Sequence, residues 1–99
     1  MAKYFLTNKA VDDLAGIWEY TYDTWSERQA DKYHGMLTAS FQEILDQPDL
    51  GKKYPEVAEG VMGHQVGKHI VFYRIEPSND LLILRILHQR MDLKSHLEE

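Results

Sequence analysis

Two apolar runs, His69-Ile-Val-Phe-Tyr-Arg-Ile-Glu76 and Leu81-Leu-Ile-Leu-Arg-Ile-Leu-His88, flank the turn-forming sequence Pro77-Ser-Asn-Asp80. β-Branched and aromatic residues bounded by turn chemistry read as strands, and so short a spacer makes them a hairpin. Both runs are apolar at odd and even positions alike, so both faces of the ribbon need cover. No other feature limits the fold as strongly. With Pro77–Asp80 as a four-residue loop, Glu76 faces Leu81 and His69 faces His88. Val71, Tyr73 and Ile75 then share a face with Leu82, Leu84 and Ile86. The opposite face carries Phe72, Arg74, Ile83, Arg85 and Leu87.

The first half of the chain supplies one cover. Lys3–Thr7 reads as a short strand, after which Thr7 or Asn8 caps a helix with Asp12 and Asp13 in its first turn. Val11, Leu14, Ala15, Trp18, Thr21, Tyr22 and Trp25 recur at helical spacing. Trp18 is expected in the core, and Trp25, at the helix end, part-exposed. Ser26-Glu-Arg-Gln29 fits a capping box for a second helix, whose stripe is Ala30, Tyr33, Leu37, Phe41, Ile44 and Leu45 and which Pro48 ends. The two helices form an antiparallel hairpin. Residues 48–63 read as a loop, Met62–Gly67 as a weaker strand, and 89–99 as a polar tail carrying Met91, Leu93 and Leu97.

The predicted class is therefore α+β: a βααβββ order in two layers, with the helical hairpin on one face of a small, mostly antiparallel sheet, all in one domain over residues 1–99. Two helices cover one face only. The other is expected to present Phe72, Ile83 and Leu87 around two arginines as a partner surface, unless the loop or the tail folds over it.

Composition narrows the function. There is no cysteine, so thiolate chemistry and Cys-type zinc sites are excluded. The longest apolar runs are too short for a membrane span or a signal peptide, so a cytoplasmic protein is expected. The net charge of −5 argues against duplex nucleic acid as a partner. The histidines lack metal-ligand spacing, and no metal or cofactor is expected. Gly63-His-Gln-Val-Gly67-Lys68 departs from a phosphate loop in glycine spacing, in the residue after the lysine and in following a loop; its glycines are read as turn or bulge formers. Metal-free RNA cleavage needs a base, an acid and cations at the phosphate. His88, Tyr73, Arg74, Arg85 and Arg90 are the candidates, with His69 facing His88 as a second imidazole.

Val66-Gly-Lys-His-Ile-Val-Phe-Tyr-Arg74 and Ile86-Leu-His-Gln-Arg-Met-Asp92 together resemble the ParE-type toxins of bacterial toxin–antitoxin modules, within the ParE/RelE superfamily. Leu6-Thr, Ala10, Asp13-Leu14, Ile17-Trp18, Tyr20, Trp25, Gln29-Ala30 and Tyr33 resemble the family's first two helices, and Gln47-Pro-Asp-Leu-Gly51 its turn after the second helix. Where the family often has an arginine before the Gly67 strand, this chain has Met62-Gly-His-Gln65. The resemblance spans residues 4–97. It implies a ParD-like antitoxin as partner and a toxin that poisons DNA gyrase by binding, with no catalysis of its own and no sequence-specific nucleic-acid binding. Phe72, Arg74, Arg85, Leu87, His88 and Arg90 are then expected to meet the target, and Trp18, Tyr22, Trp25 and Ile83 the antitoxin. RelE-like relatives instead cut mRNA on the ribosome; in that reading His88, Arg74, Arg85 and Tyr73 carry the chemistry.

Overall fold

The computed structural model describes residues 2–90. Strand β1 (Tyr4–Leu6) leads into helices α1 (Asn8–Thr24) and α2 (Glu27–Asp46). A 3-10 turn (Pro48–Leu50), β2 (Lys52–Lys53), β3 (Met62–Val66), β4 (His69–Ile75) and β5 (Leu81–His88) follow. The sheet order is β1-β5-β4-β3-β2. β1 runs parallel to β5, and every other pairing is antiparallel. This is the expected two-layer α+β arrangement with β2 added at one edge. The tail positions Met91, Leu93 and Leu97 lie outside the described residues.

Both helices start on the caps their sequences supply. The Thr7 hydroxyl accepts from Ala10 N–H at 3.1 Å and donates to Leu84 O at 2.7 Å, which fastens the start of α1 to β5. Helix α1 begins at Asn8, so Asp12 and Asp13 lie beyond its first turn and not within it. Ser26 Oγ accepts from Gln29 N–H at 3.1 Å and starts α2.

The α2 stripe packs as expected: Leu37, Phe41 and Ile44 are buried against Val71, Tyr73, Leu81, Ile83 and Ile86 of the sheet. Helix α1 does not turn its aromatic stripe inward. Its core side is Ala10, Leu14 and Ile17, one residue round the helix. Val11, Tyr22 and Trp25 are left outside, with Trp25 73% exposed. Close packing of a helix on a sheet favours the face whose residue at the tightest approach is small, and Ala10 is fully buried there.

The hairpin register differs from expectation in one half only. The loop is one residue longer: Glu76 N–H bonds Asp80 O, and Ile75 pairs with Leu81. A β-bulge opposite Phe72 and Tyr73 then shifts the register back, from Tyr73 with Ile83 to Phe72 with Arg85. His69 therefore does face His88. Between loop and bulge the faces are exchanged. Ile83 points into the helix-covered core and is fully buried, so it is not the surface residue predicted.

The far face of the sheet is not bare either. Phe72, Ile70 and Leu87 are buried in a second cluster with Val61, against which Tyr54 and Leu84 pack. Tyr54 and Val61 come from the chain between β2 and β3, and the Tyr54 ring meets Phe72 edge-on at 5.2 Å. Phe72 (0% exposed) and Leu87 (3% exposed) thus hold the sheet to this connection and offer no apolar target surface. The β3–β4 turn is Gly67-Lys68, with Gly67 at φ 59°. A positive φ at the first of two turn residues is the type II′ requirement, which glycine meets without strain.

Candidate functional site

A groove of about 1020 Å³ opens between α1, the end of β5 and the first turns of α2. Its walls include Asp12, Asp13, Ile17, Tyr20 and Trp25 from α1, Gln29 and Tyr33 from α2, Lys68 and His69 from the β3–β4 corner, and Arg85–His88 from β5. Apolar surface with a few convergent polar groups is the usual character of a recognition site.

Asp13 and Arg85 join the two walls. Asp13 Oδ2 accepts from Arg85 Nε at 2.8 Å and from Ile86 N–H at 3.0 Å, while Oδ1 accepts from Arg85 Nη2 at 3.1 Å. Their side chains are 15% and 13% exposed. By strand alternation Ile86 N–H points away from β4, and the carboxylate receives it there. A bidentate, charge-assisted contact of this kind fixes the orientation of the guanidinium.

At the far end lies an imidazole–phenol cluster. The Tyr33 hydroxyl is 2.7 Å from His69 Nδ1, 3.2 Å from Val66 O, and accepts from Lys68 N–H at 3.1 Å. A phenol has one proton. All three contacts are satisfied together when it donates to Val66 O and receives Nδ1–H from a neutral His69, and this network assigns the tautomer with a bare Nε2. Burial first, and His88 second, push the His69 pKa down to about 4, against a smaller opposing effect of Asp13. His69 is therefore uncharged at neutral pH. The His69 and His88 rings meet edge-on at 5.3 Å, and His88 Nδ1 accepts from Arg90 N–H at 3.2 Å.

Of the residues singled out in the sequence, the groove gathers Trp25, Arg85, Leu87 and His88, with Arg90 exposed beside His88. Trp18 and Tyr22 are elsewhere: their rings stack at 5.2 Å over the outer side of the helical hairpin, and Trp18 Nε1–H donates to Asp31 at 3.0 Å. Arg74 is on the opposite side of the sheet, five residues along β4 from His69, paired with Glu76 at 3.4 Å. Tyr73 faces the core. Its hydroxyl donates to Pro48 O at 2.7 Å and accepts from Gly51 N–H at 3.0 Å, and burial raises its pKa. Among the described residues, no group of three potential metal ligands is assembled, and no helix is long and apolar enough to cross a membrane.

Sequence reasoning missed Asp13, Tyr33, Ile17 and Lys68 as parts of a site. A signal existed for Asp13: it lies three residues after Ala10 and four before Ile17, on the buried side of α1.

The family described as "ParE toxin of type II toxin-antitoxin system, parDE" matches residues 4–93. The toxin ParE1 of Mycobacterium tuberculosis (strain H37Rv) is 32% identical, over 97% of this chain and 98% of its own. The toxin ParE1 of Caulobacter vibrioides is 34% identical, over 98% and 99%. A solved structure of the chromosomal ParDE system of P. aeruginosa superposes with a TM-score of 0.75 at 20% identity, covering 89% of this chain and 95% of that one. The RelBE2 toxin–antitoxin complex of Mycobacterium tuberculosis superposes with a TM-score of 0.60, also at 20% identity, covering 89% and 98%. These two likenesses concern the fold.

Proposed function

The chain belongs to the ParE toxin family of type II toxin–antitoxin systems, and from that premise we propose that it arrests growth by binding DNA gyrase and is held silent by a ParD-like antitoxin. The observation that carries the choice of binding over cutting is the scatter of the ribonuclease candidates. The Tyr73 hydroxyl is engaged by Pro48 and Gly51. Arg74 lies across the sheet from His88, and Arg85 is bound bidentately to Asp13. A base, an acid and a cation must converge on one phosphate, and these side chains do not. The net charge of −5 also supports a protein target over a ribosome-bound message. The groove supports the partner reading: its aromatic wall holds Tyr20 and Trp25, the two most exposed large aromatics among the described residues, at 69% and 73%.

The test has two arms. Purified protein is added to gyrase and relaxed plasmid, and inhibition of supercoiling or accumulation of cleaved gyrase–DNA complexes is expected. Induced expression is expected to arrest growth, and co-expression of the adjacent antitoxin gene to relieve the arrest. Full supercoiling at large excess of a toxin that still arrests cells would remove gyrase as the target.

A further inference from the structure

Resting on the gyrase reading above, we infer that the target is gripped by the outer face of the helical hairpin, with an arginine of the target entering the cleft between Trp18, Glu19 and Asp31. This gives Trp18 and Tyr22 to the target and not to the antitoxin.

Both rings lie outside the core, yet both are held. Trp18 and Tyr22 stack at 5.2 Å with 22° between their planes, and Tyr22 is 47% exposed. Trp18 Nε1–H donates to Asp31 Oδ1 at 3.0 Å, which ties this stack on α1 to α2. Beside that contact a cleft of about 470 Å³ opens between the helices, lined by Ala15, Trp18, Glu19, Asp31 and His34. It shares no lining residue with the groove at β5. Gly35 lies four residues after Asp31, on the same side of α2, and a Cβ there would meet nothing within 4 Å. Glycine weakens a helix interior, and no neighbour within the described residues requires it here. Its missing side chain leaves the rim of the cleft open to close approach.

Charge selects the occupant. Residues 1–50 carry nine Asp and Glu against four Lys and Arg. Neither Glu19 nor Asp31 has a cationic partner among the described residues. Two such carboxylates beside a stacked indole and phenol make a place for a cation: the rings attract positive charge to their faces, and the carboxylates accept its N–H donors. A guanidinium fits better than an ammonium, because its planar fork stacks on a ring and bonds a carboxylate at once. An enzyme that handles DNA carries arginine and lysine along its DNA path to meet the phosphates, so gyrase offers the complementary surface.

The test compares two double variants of equal net charge. Glu19→Arg with Asp31→Arg reverses the cleft, and Glu56→Arg with Glu59→Arg reverses two exposed residues before β3. In a gyrase supercoiling assay the cleft variant is expected to need at least about tenfold more toxin for half-inhibition, and the other to stay within about twofold of wild type. Tyr22→Ala removes a ring outside the core and is expected to need about threefold more toxin; it decides if the cleft variant fails to fold. The cleft variant is expected to bind the purified product of the adjacent antitoxin gene within about threefold of wild type. Half-inhibition by the cleft variant at the wild-type concentration overturns the inference and leaves the gyrase reading standing. So does an equal loss in both double variants, which reports net charge alone, or a matching loss of antitoxin binding, which gives this face to the antitoxin. Wild-type toxin that leaves gyrase untouched overturns that reading, and this inference with it.

Discussion

Removal of the Asp13 carboxylate should loosen the joint between α1 and β5. In Asp13→Ala, the Arg85 guanidinium loses both of its bonds to Asp13, and Ile86 N–H loses its acceptor. The pair is mostly buried, at 13% and 15% exposed, so water restores only part of what is lost. Breaking a fully buried ion pair costs about 3–5 kcal/mol, and an exposed one under about 1 kcal/mol. An unsatisfied amide adds about 1–3 kcal/mol where water is excluded. For this partly shielded site the expected loss is about 2–4 kcal/mol. In a chain of this length that lowers Tm by roughly 10–25 °C. Urea unfolding followed by the fluorescence of Trp18 and Trp25 gives the loss directly. The Asp13→Ala, Arg85→Met double variant is expected to lose less than the sum of the two single variants, because both remove the same contact. A loss below about 0.5 kcal/mol in Asp13→Ala, the range of an ordinary surface substitution, would refute the claim that this contact holds the groove's two walls together.

The remaining predictions concern neighbouring features. Gly67→Ala should cost about 1–3 kcal/mol, because φ is 59° there and an added Cβ would lie 2.7 Å from the Tyr33 hydroxyl; equilibrium unfolding measures it. Tyr73→Phe removes the bonds to Pro48 and Gly51, so a loss of about 1–3 kcal/mol is expected by the same assay, with earlier proteolysis of the 48–51 turn. Stability should depend on pH through His69. Its folded pKa, about 4, lies below the ordinary 6.5, so the unfolded chain binds the proton first. The His69 contribution is complete above pH 6.5 and is lost as pH falls from there toward 4. After discounting for the ring's partial exposure this is about 1–2 kcal/mol. A His69→Gln variant should show a flatter stability profile over that window, and an unchanged slope would contradict the assignment.

The layer order, both helices and the His69–His88 pairing were legible from periodicity and turn chemistry. The His69–His88 pairing came out right because two single-residue shifts, a longer loop and a bulge, cancel over the length of the hairpin. Between them they exchange the faces of Leu82, Ile83 and Leu84, and no glycine or proline in Leu-Leu-Ile-Leu-Arg announces the bulge. Helix α1 misled for a related reason. It is apolar round much of its circumference, and its largest residues suggested the core while the small Ala10 marked it. The cover on the outer sheet face was hidden because residues 54–61 have no period; only two of them, Tyr54 and Val61, enter the second cluster. The site was harder still. Its polar members come from the start of α1, the start of α2 and the ends of two strands, and only the fold places them side by side.

Growth arrest by binding and not by cutting is what we propose for this toxin. The fate of messenger RNA in cells arrested by induced toxin tests it most directly. Intact transcripts and gyrase trapped on DNA are expected in the arrested cells. Transcripts cut in a ribosome-dependent manner, with the cuts abolished in His88→Ala, would contradict it.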